Sequence, residues 1–314
     1  MVIDFHSHNF PEALAKRALE VMCSKLAACG HQALVPVGEG TVAAQLRDMD
    51  RVGIDLCVNC PVATYPGNFD AITRRAMAVR AGAEGDAAAK RIVQLGSINP
   101  KDPDYAAHVA QLKELGIPGI KLHPNYQGVR LDDPQLVPFF TAVRDAGLFV
   151  ISHCGFDPGY VDEPSVAGPN EIAWLLKAVP GLKFVAGHLG GEYDAPPHAT
   201  DQLLSFPNCW IDTAAQYFRF DAEETQRIIR EWPADRIVFG SDYFWCDQAK
   251  VVAWVKELRP DPAEQELKLR VRDEVLRTIS PELESAESIT DAERIVRANL
   301  GNIQRAAQSK AEGR

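Results

Sequence analysis

A chain of 314 residues, 46% hydrophobic and 24% charged, has the composition of a globular protein with a substantial buried core. Its formal net charge of −10 argues against a nucleic-acid partner, whose phosphates require clustered Lys and Arg, and lends nothing to docking on an anionic membrane. No apolar run approaches the roughly 20 residues that a bilayer span needs.

The first element is the strand-like Val2–Phe5, leading into His6-Ser7-His8. No basic segment followed by an apolar stretch precedes it, so a cytoplasmic location is expected. Residues two apart on a strand share a face, so both imidazoles point the same way and make half of a divalent-metal site. Asp4 has the same parity and is expected to orient an imidazole from behind. Further strand-like runs follow at Ile54–Asn59, Ile92–Ile98, Gly119–His123, Leu148–His153, Leu182–His188, Cys209–Thr213 and Arg236–Asp242. Each is short and rich in Val, Ile, Leu or Phe, as strands buried on both faces are. Helical segments alternate with them: Pro11–Ala28, Thr41–Val52, Phe69–Ala83, Pro103–Leu115, Pro134–Ala146, Asn170–Val179 and Ala222–Glu231.

Eight strands alternating with helices predict a parallel sheet closed as a (β/α)8 TIM barrel. The competing open doubly wound sheet would carry a Gly-rich loop after its first strand, where this chain has Ser7-His8-Asn9-Phe10-Pro11. From about residue 246 onward, including Pro262–Ile279 and Ala292–Leu300, the chain reads as a helical extension, a candidate homodimer contact. With no linker or repeat, residues 1–314 are expected to form one domain. The seven cysteines are odd in number and scattered, which fits reduced thiols; Cys57 and Cys60 share a Cys-x-x-Cys spacing but have no second pair to complete a zinc knuckle.

Five of the eight histidines (His6, His8, His123, His153 and His188) and Asp242 fall at the C-terminal ends of predicted strands, the face on which barrels build active sites. A divalent ion held by His6, His8, His153 and Asp242 would have nitrogen ligands plus one hard oxygen, which suits Zn²⁺, with Mn²⁺ or Fe²⁺ as alternatives. His188, between glycines, is positioned for acid/base work on a metal-activated water, with Asp242 as the other candidate proton acceptor. Lys121 and His123 share a face of strand 4. A buried lysine there must be paired, either with a substrate carboxylate or with Asp242 or Asp4. Phe156, Tyr160, Tyr243, Phe244 and Trp245 are expected to rim the pocket, with Tyr243 touching substrate. Arg47 and Arg51 read as solvated helix charges.

With these residues, the chain resembles the amidohydrolase superfamily, in particular the amidohydrolase-related branch that includes aminocarboxymuconate-semialdehyde decarboxylase. The motifs are Ile3-Asp4-Phe5-His6-Ser7-His8, Gly119-Ile120-Lys121-Leu122-His123-Pro124, Gly187-His188-Leu189-Gly190-Gly191, Gly240-Ser241-Asp242 and Ile295–Asn302. The resemblance implies one metal on His6, His8, His153 and Asp242, assisted by His188. A carboxylated Lys121 bridging two metals is the variant known in other branches. The expected activity is hydrolysis of a small lactone, ester or amide. The alternative is non-oxidative decarboxylation of an aromatic or unsaturated acid, and a catalytically inert barrel is the reading from a different class.

Overall fold

In the computed structural model, which describes residues 2–82, 91–161, 163–214, 222–233 and 236–258, each of the eight apolar runs carries a parallel strand. They are β1 (Ile3–Ser7), β2 (Leu56–Asn59), β3 (Ile92–Gln94), β4 (Gly119–Leu122), β5 (Phe149–Ser152), β6 (Phe184–Ala186), β7 (Cys209–Asp212) and β8 (Ile237–Val238). β1–β3 make one ladder and β4–β8 another, each in chain order. Two seams close the TIM barrel. At the first, Gly96 N donates to Gly119 O at 3.0 Å and Lys121 N to Gly96 O at 2.9 Å. At the second, β8 returns to β1 through Phe5 N to Phe239 O and Asp242 N to His6 O, both 2.8 Å.

The helices are α1 (Glu12–Ala28), α2 (Val42–Val52), α3 (Phe69–Arg80), α4 (Tyr105–Glu114), α5 (Pro124–Gln127), α6 (Val137–Asp145), α7 (Pro169–Ala178), α8 (Gly187–Gly191), α9 (Glu223–Glu231) and α10 (Gln248–Leu258). The single turns α5 and α8 are additions to the sequence expectation. Thr41 caps α2 by accepting Ala44 N on its hydroxyl at 3.1 Å, and Gly53 ends it in the left-handed region. The expected helices Pro262–Ile279 and Ala292–Leu300 lie outside the described residues.

Strand side chains divide by parity. Phe149 and Ile151 of β5, Val185 of β6 and Val238 of β8 join Ile3, Phe5 and Val58 in an inner cluster. Their neighbours Val150, Phe184, Ala186 and Ile211 pack against the helices in the larger outer cluster. β1 breaks this alternation: its register against β2 shifts between Asp4 and Ser7. The bulge brings His6 inward beside Phe5, while Asp4, between the inward Ile3 and Phe5, faces outward. Several predicted strands also stop early, which leaves functional residues on the rim beyond the ladder. β8 ends at Val238 because Gly240 satisfies its N–H and C=O on the Thr213 hydroxyl, at 3.0 and 2.9 Å, instead of on a neighbouring strand.

Candidate active site

The β1/β8 seam brings the first residues together. His8 Nε2 lies 3.1 Å and His6 Nε2 3.8 Å from Asp242 Oδ1. Asp242 sits at φ 59, in the left-handed region that Asp tolerates better than most residues. Burial raises its pKa, but the hydrogen bond from His8 and the nearby charges of His188, His8 and Lys121 outweigh this and hold it below the usual carboxylate range. The Cys60 carbonyl, 3.0 Å from His8 Nδ1, accepts that N–H and points Nε2 at Asp242, so an ion bound there would replace the proton shared between Nε2 and the carboxylate.

His6 is fully buried. Burial first, then the Lys121 charge, drives its pKa well down, so the ring is neutral. Its Nδ1 lies 2.8 Å from Asp212 Oδ2, and Asp212 Oδ1 accepts the amides of His188 at 2.9 Å and Ala214 at 3.0 Å. One carboxylate at the end of β7 therefore sets both the His6 ring and the His188 backbone. Burial pushes Asp212 up to about 6 against those contacts. Gly187 must be glycine for the same packing: a Cβ there would stand 2.6 Å from Ser152 O and 3.2 Å from His6 Cε1.

His188 projects from α8, whose inner residues His188, Leu189 and Gly190 all have positive φ, so the segment is a left-handed turn. Its Nδ1 bonds the Ala214 carbonyl at 2.6 Å, which leaves Nε2 for the site. His6, His188 and Asp242 each offer a donor atom within 4.8 Å of the others. Lys121 faces inward as expected, but its Nζ sits 2.6 Å from His6 Nε2 rather than against Asp4.

A second buried group comprises His123, His153 and Asp157. His123 Nε2 is 3.1 Å from Asp157 Oδ2, while His123 Nδ1 and His153 Nε2 have no partner among the described residues. The two rings lie flat on each other, 4.1 Å apart and 8° from parallel. Imidazole lone pairs lie in the ring plane, so rings stacked this way cannot both aim at one ion. An ion can therefore take His153 or His123 but not both, and His153 also adjoins His188, with ring centres 4.4 Å apart. Burial first lowers the pKa of both stacked histidines, which keeps them neutral.

The fit to a divalent cation rests on these donors: neutral His6 and His153, the orphaned His153 Nε2, His8 Nε2, and an Asp242 whose carboxyl readily ionises. Such an ion and Lys121 would compete for His6 Nε2.

Two sequence expectations fail. Asp4 orients no imidazole. Facing outward, it accepts the backbone amides of His6 and Ser241 at 3.1 and 3.0 Å and the Gln248 amide at 2.7 Å, tying β1 to β8 and α10. The imidazole partner is Asp212, which sequence reasoning passed over although it ends β7 on the same rim as the histidines. Tyr243 does not reach the pocket: its ring is buried beside Gly38 and its hydroxyl donates to Asp48 Oδ2 at 2.9 Å. Of the five predicted rim aromatics, Phe244 and Trp245 line the cavity. Phe156 stacks on Tyr193, and Tyr160 lies under Lys25 Nζ. Arg47 and Arg51 form exposed ion pairs with Glu39 and with Asp48 and Asp247.

His6, His8, Lys121, His123, His153, His188 and Asp242 all open on one cavity of about 690 Å³. Its upper wall is apolar, from Phe10, Leu14, Val21, Met22, Phe244 and Trp245. Among the described residues, Arg17, Lys25, Arg75 and Lys121 line it against two acids, Asp157 and Asp242, a local excess of positive charge in a chain of net −10.

Compared with known proteins, residues 4–278 match the model of a family described as amidohydrolase. A model of stage II sporulation protein R matches 257–314, less than half of the chain. A curated relative, 2-amino-3-carboxymuconate-6-semialdehyde decarboxylase of Dictyostelium discoideum, is 24% identical over 188 residues, 49% of this chain. The chain spans about half the length of that relative (51%). Among solved structures, an uncharacterised TIM-barrel protein of Bordetella bronchiseptica aligns with TM-score 0.68 at 19% identity, covering 88% of this chain and 99% of that one. The 5-carboxyvanillate decarboxylase of Sphingomonas paucimobilis aligns with TM-score 0.60 at 16% identity, covering 88% and 98%. That of Novosphingobium aromaticivorans, complexed with manganese and 4-hydroxy-3-methoxy-5-nitrobenzoic acid, aligns with TM-score 0.54 at 15% identity, covering 85% and 91%. Identities this low show the fold.

Proposed function

The chain belongs to the amidohydrolase family, and from that premise we propose that it is a metal-dependent enzyme that removes CO₂ from an aromatic or unsaturated carboxylic acid. The observation that carries this reading is the placement of the donor cluster at the base of an apolar-walled cavity with excess cationic side chains. An anionic acid is drawn in by the cations, and its carboxylate then loses water. Decarboxylation moves that charge from the carboxylate onto the carbon framework of the substrate, where it spreads, so an apolar wall favours it, whereas hydrolysis consumes a water. Similarity to decarboxylases supports the same choice.

We assign the ion to His6, His8, His153 and Asp242, with Zn²⁺ or Mn²⁺ as the candidates; manganese is the ion in two similar structures. When bound, it supplies positive charge and open positions for substrate oxygens. Asp212 holds His6 through Nδ1 and fixes the turn that carries His188. As the carbon–carbon bond breaks, its electron pair stays on the substrate carbon, which takes a proton from His188 Nε2, and CO₂ leaves. Lys121 and the cations of the cavity bind the acid. Hydrolysis of a lactone or ester, the first sequence expectation, uses the same residues and has a structural parallel in an Acinetobacter baumannii protein described as a probable 2-pyrone-4,6-dicarboxylic acid hydrolase.

The test uses protein reconstituted with Mn²⁺ or Zn²⁺ and presented with hydroxybenzoates, unsaturated acids, lactones and esters. Decarboxylation yields CO₂ and, in D₂O, one deuterium at the vacated carbon. Turnover of lactones or esters without CO₂ would establish hydrolysis instead.

A further inference from the structure

Four imidazoles border the site assigned to the ion, those of His6, His8, His153 and His188. Three of them have Nδ1 fixed by a hydrogen bond: His6 by Asp212 Oδ2 at 2.8 Å, His8 by the Cys60 carbonyl at 3.0 Å and His188 by the Ala214 carbonyl at 2.6 Å. Such a bond sets the tautomer and the plane of a ring that is to meet a cation. His153 is the exception. Among the described residues no hydrogen bond reaches its ring, and its Nε2 is buried without a partner. The Cβ–Cγ torsion of histidine has only a broad preference of its own, so packing must hold this ring.

The packing is a stack. β4 and β5 pair in the register Leu122↔Ser152, and His153 N donates to Leu122 O at 2.9 Å, so His123 and His153 leave the barrel side by side. Their rings lie 4.1 Å apart and 8° from parallel, whereas the contact of His153 with His188 is tilted by 60°. On its other face His123 carries the Tyr126 ring, 3.8 Å away and 12° from parallel, brought back by the single turn α5. Gln127 ties that turn down. Its Oε1 accepts His123 N–H at 2.9 Å, and its Nε2 donates to Ala63 O at 3.1 Å and Ile98 O at 3.2 Å. Asp157 stops the middle ring from turning: its Oδ2 lies 3.1 Å from His123 Nε2, and its Oδ1 accepts Gly159 N at 2.6 Å.

We infer that His123 is the positioning residue for His153: it gives no lone pair to the ion and fixes, face to face, the plane in which His153 offers its own. The stack does for this ligand what Asp212 and the two carbonyls do for the other rings. This inference rests on the assignment of the ion to His153 above and goes beyond it by giving His123, Tyr126 and Asp157 a task. It also accounts for the His123 Nδ1 that has no partner among the described residues, since the ring serves through its flat faces and one edge bond.

The experiment measures Mn²⁺ binding to the metal-free full chain by calorimetry, with the visible spectrum of the Co²⁺-loaded chain as a second readout. His153→Ala marks loss of the ligand itself. His123→Leu and His123→Phe both remove the bond to Asp157 and differ in whether a flat ring remains against His153. His123→Leu is expected to bind Mn²⁺ about 10–100-fold more weakly than the wild type, and His123→Phe to stay within about threefold of it. The Co²⁺ bands should coincide in the wild type and His123→Phe and shift in His123→Leu, because a turned ring alters the ligand field without altering the ligand count. Should His123→Leu fail to fold, His123→Met takes its place, since an unbranched chain adapts to the same space without supplying a flat face. Equal Mn²⁺ affinity in His123→Phe and His123→Leu, whether retained or lost, overturns the positioning role, and loss of Mn²⁺ from His153→Ala then leaves the ligand assignment standing. Two ions per wild-type chain would make His123 and Asp157 ligands and overturn the role likewise. Unchanged Mn²⁺ affinity in His153→Ala overturns both.

Discussion

Replacing Asp212 by alanine removes the acceptor for His6 Nδ1 and for the amides of His188 and Ala214 in one step. Metal affinity should fall about 10–100-fold, the usual effect of losing the partner that orients a ligating imidazole. The expected readout is metal content after dialysis, with activity lost in parallel. His188→Gln separates the two properties. It should retain metal and lower kcat by about 10²–10⁴-fold, because the proton-exchanging Nε2 is lost while the other donors are untouched. Loss of metal from that variant would instead make His188 a ligand, an arrangement that its place beside His6 and Asp242 permits.

Among the elements, β1 and β8 are held by side chains as well as by the few backbone bonds that join them. Asp4 accepts bonds from the amides of His6 and Ser241 and from Gln248 of α10. Asp4→Ala strands these donors in a buried place and should destabilise the fold by about 2–4 kcal/mol, read as a lower urea midpoint with an unchanged slope. Because His6 and Asp242 stand on opposite sides of that seam, metal affinity should drop with it. The α8 turn is the other dependent element. Gly187→Ala would push against Ser152 O and the His6 ring, and should cost activity at least as much as stability.

Across the whole molecule, buried titrating groups oppose one another. His6, His123 and His153 have pKa values well below 6.5 in the folded chain, so below pH 6.5 unfolding lets three imidazoles take up protons. Asp4 and Asp212, raised to about 6 by burial, act in reverse: between about 3.8 and 6 the folded chain holds protons that the unfolded chain releases. Three groups outnumber two, so the unfolded state binds about one more proton near pH 5. Stability should then fall with decreasing pH by about 1.4 kcal/mol per unit for that net proton. Thermal melts of metal-free protein should show a lower Tm at pH 5 than at pH 7, and a higher Tm at pH 5 would contradict this balance.

Much of the architecture was legible in the sequence because it is local. Apolar runs of strand length, capping residues such as Thr41 and Gly53, and the rim position of His6, His8, His123, His153, His188 and Asp242 all follow from neighbouring residues and short periodicities. A parity argument places Lys121 inward correctly because β4 is regular. The same argument fails for Asp4 because a bulge in β1 shifts the alternation, and a bulge is a response to the neighbouring strand. Tertiary structure alone decided the partners: Asp212 meets His6 across 206 residues, Tyr243 turns away to Asp48 across 195, and Arg75 reaches Asn9 across 66. Such pairings depend on how a closed barrel brings distant strand ends together, and no stretch of adjacent residues carries that information.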